Sequence, residues 1–216
     1  MKNKILIGFY NYTVIATYAA LVFGVFGIYS AISGDSFTAI VMLLIAGSLD
    51  MFDGRIAKTR VRSADEKHFG IQIDSLCDLV NFGVLPTAIG HSLGLVGFGF
   101  NVLFALYILT AQIRLAYFNV DEFNRQNKTS EGRKYYTGLP VTSAALIFPF
   151  IYTFSAPFAA ETTAIAYGIM LFVCAVFFVL NIKIPKPQKK TICVFAFIGL
   201  AMLVCLAYFK TAGMFI

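Results

Sequence analysis

Long apolar runs constrain the fold of this chain more than any other feature. Runs of about twenty mostly apolar residues, the length of a membrane-spanning helix, recur along it. Of its 216 residues, 59% are hydrophobic and only 13% are charged, whereas soluble domains carry about 25% charged residues. We therefore predict an all-α, polytopic membrane helix bundle in which residues 1–216 form a single domain.

Seven membrane helices are predicted from the apolar periodicity. The first is interpreted as a retained helix, because its apolar run extends to Ala31 and exceeds the roughly 7–15 residues of a signal-peptide core. The last is either a full span or a re-entrant or interfacial segment. The predicted ranges are 8–32, 36–57, 69–90, 93–118, 139–157, 162–181 and 191–210.

The basic residues are concentrated in alternate connections between these helices. With the N-terminus in the cytoplasm, all but Lys210 of the 17 lysines and arginines fall at or near the cytoplasmic side, as the positive-inside rule requires. The formal net charge of +6 then favours contact with anionic membrane lipids. Because the basic residues are divided among short loops, nucleic-acid binding is not expected. The predicted location is the cell membrane, with several spans.

Four aspartates lie where the second helix ends and the third begins. Asp50 and Asp53 are three residues apart, Asp74 and Asp78 four apart, so each pair shares one face of a helix. A short loop joins the two helices, which predicts that they are antiparallel neighbours. Ionisable residues in membrane helices are costly and usually functional. The two pairs are therefore expected to face each other across one cleft at the cytoplasmic face.

Such a cluster of carboxylates requires compensating charge. Repulsion and desolvation oppose ionisation of all four groups, and a divalent cation relieves both effects. Oxygen ligands favour Mg²⁺ or Mn²⁺, with Ca²⁺ as a further occupant. Two such ions would balance four carboxylates, and two-metal sites support phosphoryl transfer. The predicted cofactors are therefore two divalent cations.

Small residues stand one helical turn from the aspartates. Gly54, Ala57 and Gly70 would either admit a bulky ligand or allow close helix packing. Lys58 continues the Asp50–Gly54 stripe by one turn and is placed to meet a phosphate. Together these features indicate a substrate that carries a diphosphate. The alternative outside enzymes is an ion transporter, which the clustering of the acids at one face and the absence of an apparent inverted repeat disfavour.

The spacing of these residues resembles a known signature. It runs Asp50-x2-Asp53-Gly54-x2-Ala57-Lys58, then eleven residues, then Gly70-x3-Asp74-x3-Asp78, and it closely resembles that of the CDP-alcohol phosphotransferases. Within that family the chain is most similar to the integral-membrane phosphatidylserine synthases. The segments that carry this second likeness are DSLCDLVNFGVLPT, RLAYFNV, YYTGLP and, at the start of the first helix, NYT.

The resemblance implies a six-helix core with one additional helix, and a specific reaction. A phosphatidyl group would pass from CDP-diacylglycerol to the hydroxyl of L-serine, giving phosphatidylserine and CMP. Asp50, Asp53, Asp74 and Asp78 would hold the two metal ions, and Asp78 would also be the catalytic base. Gly54, Ala57 and Gly70 would admit the CDP-lipid. The family also suggests a homodimer.

Two departures affect the donor side of the predicted site. The family usually has arginine at the position of Lys58, and the gap between Lys58 and Gly70 is longer than in the common pattern. We expect Arg60 and Arg62 in this longer loop to substitute in part for the missing guanidinium. Asn11 and Thr13 match the asparagine and threonine of the family at the start of the first helix, and are expected to contribute to donor binding.

Residues that bind the acceptor alcohol are predicted from the segments that resemble the phosphatidylserine synthases. Arg114 is suited to a bidentate contact with the serine carboxylate, although it could instead extend to a lipid phosphate. Asn81, Asn119 and Tyr136 are the other candidates. Glycerol 3-phosphate or inositol phosphate remains an alternative acceptor, because Arg114 and Arg133 could meet the second phosphate. A diether donor would fit the same headgroup site.

Overall fold

The computed structural model describes residues 7–56, 59–128, 133, 135–155, 158–187 and 189–212. Ala57 and Lys58 lie outside these ranges. Within them the chain forms eight α-helices, a π-helical segment, a short 3-10 turn and one two-stranded sheet. In chain order these are α1 Tyr12–Ile32, α2 Ser36–Ile56, α3 Ala64–Asp78, the π segment Leu79–Val84, α4 Leu85–Ser92, α5 Phe98–Lys128, β1 Tyr135–Thr137, the 3-10 turn Val141–Ser143, α6 Ala144–Ser155, α7 Ala160–Val179, β2 Lys183–Pro185 and α8 Lys189–Thr211.

The predicted helical membrane bundle is confirmed. In the described part of the chain, five helices are long and apolar enough to cross a membrane, and a shorter apolar helix covers Val141–Ser155. α3, the π segment and α4 follow one another without a break and form the remaining long rod. The five long candidates are Tyr12–Ile32, Ser36–Gly54, Phe98–Arg125, Ala160–Val179 and Cys193–Thr211.

The third rod begins earlier than predicted, at residue 64 instead of 69. Ser63 is its N-cap: the Ser63 hydroxyl accepts from the Glu66 N–H at 3.1 Å, and the Glu66 carboxylate accepts from the Ser63 N–H at 2.9 Å. This reciprocal capping box satisfies two N–H groups that a helix start leaves open. The predicted start was wrong because it followed hydropathy, and the first turns of this helix are polar.

The π segment coincides with a proline. Pro86 has no N–H, so the Phe82 carbonyl, four residues earlier, loses its α-helical donor. The hydroxyl of Tyr107 on α5 donates to that carbonyl at 3.0 Å, and the hydroxyl of Tyr167 on α7 donates to the Pro86 carbonyl at 3.1 Å. Both tyrosines are fully buried. The irregular turn is therefore held by side chains of two neighbouring helices.

The fourth rod also differs from the prediction. α5 continues to Lys128, whereas the predicted helix ended at residue 118. The extension is polar, and an ion pair of 2.6 Å between Arg125 and Glu122, three residues apart, supports it. Apolar periodicity does not detect a helix that continues beyond the membrane-embedded segment.

Contacts between distant segments define the two ends of the bundle. At one end, Asn11 Nδ2 donates to Glu66 at 3.2 Å and the Tyr12 hydroxyl lies 3.0 Å from that of Thr59. The start of α1 therefore meets the α2–α3 connection. At the opposite end, Ser36 and Ser92 are joined by a 2.8 Å hydrogen bond. Lys210 also lies at that end, over the Phe37 ring. Lys210 thus lies at the opposite end of the bundle from the α2–α3 connection, as the charge pattern predicted.

A two-stranded antiparallel sheet joins the connections that follow α5 and α7. In β1 and β2, Tyr136 is paired with Ile184 and Thr137 with Lys183. No strand was predicted here from the sequence. The sheet is too short to change the fold class, but it holds Tyr136 against Phe118 of α5, with ring centroids 6.1 Å apart.

Candidate active site

Three of the four aspartates form one compact cluster. Asp50 on α2 and Asp74 and Asp78 on α3 each offer a carboxylate oxygen, and these oxygens all lie within 4.8 Å of one another. Asp78 is buried, and the other two are half-buried. The predicted juxtaposition of the α2 and α3 acids is therefore present in the fold.

Asp53, the fourth aspartate, is held beside this cluster. It interacts electrostatically with Asp74, as Asp50 does with Asp78, so the acids of the two helices influence each other. The Thr17 hydroxyl on α1 donates to Asp53 Oδ2 at 2.9 Å. Thr17 was not predicted as a site residue. The only signal for it in the sequence was a polar side chain within an apolar helix.

The donor set fits a divalent cation. Asp74 Oδ1 is buried and, within the described ranges, has no hydrogen-bond partner. A buried acceptor without a partner is rare in folded proteins. Carboxylates held this close repel each other when ionised, and a hard cation supplies both the missing partner and the compensating charge. These oxygens are therefore chemically suited to bind such an ion.

The glycines next to the acids differ in their surroundings. A methyl group built on Gly54 would meet no atom within 4 Å, so this face of α2 is open. At Gly70 the same methyl group would lie 3.1 Å from Arg62 Nη1. An open glycine beside the carboxylates favours the ligand interpretation of Gly54 over close helix packing. The predictions for Ala57 and Lys58 fall outside the described residues.

Glu66 organises the start of α1 and the α2–α3 connection. Its carboxylate accepts from Asn11 Nδ2 at 3.2 Å and from Arg60 Nη2 at 3.4 Å. The hydrogen bond from the Ser63 N–H lowers the pKa of Glu66, and the nearby Arg60 adds to this effect. Glu66 was not predicted as a site residue, although the Ser63-x-x-Glu66 spacing of a capping box was visible in the sequence.

Asn11 and Thr13 are engaged within the protein. Asn11 Oδ1 caps α1 by accepting from the Thr13 N–H at 3.0 Å, and it also accepts from the Thr13 hydroxyl. Thr13 is buried. In this arrangement the two residues determine where α1 begins. The same helix places Thr17 beside Asp53.

Arg114 on α5 is a buried guanidinium with an unsatisfied donor. Its side chain is buried, and its Nε has no hydrogen-bond partner among the described residues. Gly138 lies against it with φ +73°, and a methyl group there would be 3.3 Å from Arg114 Nε and 2.7 Å from the Phe178 carbonyl oxygen. Only glycine combines that backbone conformation with this close approach.

Arg133 stands near Arg114 but is paired with acids. Its Nη1 donates to Asp121 at 2.6 Å and its Nη2 donates to Glu122 at 3.1 Å. The Arg133 guanidinium also lies 4.7 Å from the ring centroid of Phe118, a cation–π distance. Tyr136 lies nearby, where burial raises the pKa of its hydroxyl and keeps it protonated.

Of the remaining acceptor candidates, one lies on α5 and the other in the π segment that follows α3. Asn119 on α5 accepts a 2.8 Å hydrogen bond from Ser75, whose neighbour in the chain is Asp74. Asn81 is almost fully buried in the π segment, and its Oδ1 has no hydrogen-bond partner in the described part of the chain. A methyl group on Gly24 would overlap this oxygen, so α1 packs tightly at Asn81.

The family of the chain follows from its sequence match. The profile of the CDP-alcohol phosphatidyltransferases matches residues 10–180, which include all four aspartates and both arginines of the acceptor side. The chain belongs to this family.

The curated relatives have more specific names. The chain is 34% identical over 149 residues to the CDP-diacylglycerol–serine O-phosphatidyltransferase of Saccharomyces cerevisiae, which covers 63% of this chain and 53% of the relative. It is 32% identical over 136 residues to that of Helicobacter pylori strain J99 (61% and 52% covered). It is also 32% identical over 130 residues to the archaetidylserine synthase of Methanothermobacter thermautotrophicus (60% and 52%). The chain thus spans about half the length of these relatives.

Proposed function

We propose that the protein transfers a phosphatidyl group from CDP-diacylglycerol to the hydroxyl of L-serine, forming phosphatidylserine and releasing CMP. The observation that carries this proposal is the convergence of the α2 and α3 carboxylates, three of them within 4.8 Å of one another, next to the open face at Gly54. Such a cluster suits a substrate whose diphosphate reaches the protein with metal ions. The names of the relatives support serine as the acceptor.

Asp50, Asp53, Asp74 and Asp78 would hold two divalent ions, Mg²⁺ or Mn²⁺, with Ca²⁺ as a further possible occupant. When bound, such ions offset the charge of the diphosphate and stabilise the leaving CMP. The protein contributes the arrangement of the ligands. Thr17 fixes the orientation of Asp53 by its hydrogen bond, and α2 and α3 bring the oxygens of the other three within 4.8 Å of one another.

Asp78 is the proposed general base. It is more buried than Asp50 and Asp74, and it lies at the inner end of the α3 stripe. Asp78 would take the proton of the serine hydroxyl as that oxygen forms a bond to the β-phosphorus of the donor. The bond from this phosphorus to the bridging oxygen breaks, and CMP leaves with the electron pair. A base in this position typically contributes about 10²–10⁴-fold.

The donor side would be formed by the face of α2 at Gly54 and the start of α3 at Gly70. Arg62 already lies against Gly70, so its guanidinium is available to a phosphate that enters there. Arg60, with its partner Glu66, and the capped start of α1 at Asn11 and Thr13 complete this side. Ala57 and Lys58 are retained as proposed donor contacts from the sequence alone.

Arg114 is the proposed partner of the serine carboxylate. It is buried with an unsatisfied Nε, it lies within electrostatic range of Tyr136, and Tyr136 is in turn within range of Asp50. Asn119 adjoins the α3 acids through Ser75. Asn81 is retained as an acceptor candidate. We further propose that the site opens to the cytoplasm and that the protein forms a homodimer.

A direct assay tests this function. Purified protein would be incubated with CDP-diacylglycerol, Mg²⁺ and one alcohol at a time: L-serine, glycerol 3-phosphate or inositol phosphate. CMP release and the mass of the lipid product would be measured. We expect phosphatidylserine. Turnover with only a phosphorylated alcohol would reject serine as the acceptor. A parallel series with a diether donor would determine the preferred lipid tails.

A further inference from the structure

The arginine cluster on the acceptor side contains one guanidinium that is paired with acids and one that is not. Arg133 donates to both Asp121 and Glu122, at 2.6 Å and 3.1 Å. In the described part of the chain, no ion pair joins Arg114 to an acidic side chain, whereas the Nε atom lacks a hydrogen-bond partner in both arginines. Arg114 is buried and Arg133 is half-buried, and both guanidiniums lie over the Phe118 ring, at 5.7 Å and 4.7 Å from its centroid.

The ion pairs hold the Arg133 guanidinium in place beside Phe118 and Tyr136. Its guanidinium rests over the Phe118 ring at 4.7 Å and lies 5.9 Å from the Tyr136 ring. Because Asp121 and Glu122 compensate the charge of Arg133 and accept from both of its terminal nitrogens, an anionic ligand would compete with two anionic partners for this guanidinium. Glu122 is also bonded to Arg125 at 2.6 Å, which holds this carboxylate in place.

The pairing changes the charge that an entering anion meets. Unpaired, Arg114 and Arg133 would form a site for a dianionic phosphate. With Asp121 and Glu122 beside Arg133, a second negative group would approach two carboxylates, and like charges brought together at a binding site cost several kcal/mol. Lys186, 5.8 Å from the Tyr136 ring, is exposed, so solvent and salt screen its charge.

We propose that Asp121 and Glu122 are specificity-determining residues that exclude phosphorylated alcohols by pairing with Arg133 and leave Arg114 as the single guanidinium for a monoanionic carboxylate. The inference rests on the proposed function and adds its substrate class: a small amino alcohol with one carboxylate and no phosphate. It assigns to the two acids a role in rejection, although neither touches the reacting atoms.

The test removes the acids without changing their shape. Asp121→Asn is the first variant, because this side chain is 45% exposed and an isosteric change there is well tolerated. The double variant Asp121→Asn with Glu122→Gln frees Arg133 further. Asp65→Asn is the matched control, since Asp65 is an exposed acid in the first turn of α3 outside the arginine cluster. Gel filtration in detergent checks that each variant is folded.

Three quantities are measured on each protein: inhibition of CMP release by inorganic phosphate, direct phosphate binding followed by thermal shift, and kcat/KM for serine and for glycerol 3-phosphate. We expect phosphate to bind the double variant about tenfold more tightly than the wild type, with a smaller gain for Asp121→Asn. The ratio of kcat/KM for serine to that for glycerol 3-phosphate should fall by a similar factor. Asp65→Asn should behave as the wild type does.

The outcomes separate this inference from the proposed function. If the wild type makes phosphatidylserine but phosphate affinity in the double variant matches that of Asp65→Asn, the role of the acids is rejected and the function stands. If the wild type uses glycerol 3-phosphate in preference to serine, both are rejected. If no alcohol is used, the proposed function fails, and the thermal-shift series still decides whether the acids exclude phosphate.

Discussion

Thr17 of α1 donates a 2.9 Å hydrogen bond to Asp53 of α2, and both side chains are buried. This bond links a helix that carries none of the four aspartates to the proposed metal ligands. Thr17→Val keeps the shape and removes the donor. We expect the Mg²⁺ concentration for half-maximal activity to rise about 10–100-fold, the usual effect of losing a partner of a metal ligand. Thr17→Ser, which keeps the hydroxyl, should retain most of the wild-type metal affinity. A metal titration that is unchanged in Thr17→Val would show that the bond does not orient Asp53.

Chelation should abolish CMP release. The four carboxylates cannot receive an anionic diphosphate favourably without a compensating cation. Dialysis against excess chelator, followed by addition of Mg²⁺ or Mn²⁺, should remove and then restore activity. Full turnover in excess chelator would contradict the proposed use of metal ions. The same additions should raise the thermal melting temperature of the wild type but not that of Asp50→Asn.

Asp78→Asn should separate catalysis from donor binding. The amide keeps an oxygen that can face a metal ion but cannot accept the serine proton. Turnover should fall by at least about two orders of magnitude, with donor affinity largely kept when Mg²⁺ is present. Asp50→Asn should weaken donor binding and metal dependence together. Equal loss of donor affinity in both variants would leave Asp78 without a distinct role as a base, and near-normal turnover in Asp78→Asn would assign the base elsewhere.

Gly54→Leu should block donor binding without unfolding the protein. The Cβ of a residue at this position would lie in open space, so a leucine side chain would extend into the proposed nucleotide space. Gly99→Leu is a matched control, because Gly99 is also a helical glycine with open surroundings. We expect the KM for CDP-diacylglycerol to rise at least about tenfold in Gly54→Leu alone. Similar kinetics in the two variants would exclude Gly54 from the donor site.

Tyr107→Phe should destabilise the protein. The change leaves the buried Phe82 carbonyl without the donor that replaces its lost helical partner. An unsatisfied buried acceptor costs about 1–3 kcal/mol, measured as a lower thermal melting temperature in detergent. Tyr208→Phe, at a tyrosine that is 65% exposed, is the control and should change the melting temperature little. Equal melting temperatures would mean that another group satisfies the carbonyl.

The sequence was sufficient to predict features that depend on long periodic patterns or fixed local spacing. The apolar runs predicted the helical membrane bundle, and the i, i+3 and i, i+4 spacings predicted which carboxylates share a face. Thr17 could not be predicted, because its role depends on how α1 rotates against α2, and that rotation is set by packing. The early start at Ser63 was missed for a different reason, since hydropathy outweighed a capping box that the sequence displayed.

The difference in ion pairing between Arg114 and Arg133 could not be predicted from the sequence. Both are basic residues near the same end of the bundle, and the charge pattern treats them alike. They differ only because the chain returns after α5 to bring Arg133 against Asp121 and Glu122, while Arg114 faces Gly138. That difference arises from tertiary contacts, which place acidic side chains beside Arg133 and a glycine beside Arg114.

The π segment has a geometric consequence for the rod that contains it. Each of its i→i+5 hydrogen bonds encloses one residue more than an α-helical turn does. The angular positions of the residues after Val84 are therefore offset from those that a regular helix would give them. In this way a single rod can direct Asp74 and Asp78 towards α2 while the carbonyl of Pro86 meets Tyr167 of α7. Deleting one residue within 79–84 would restore a regular α-helical pitch. The half of the rod that carries the aspartates would then rotate relative to the half that contacts α7. The relative orientation of these two halves therefore depends on the six residues of the π segment.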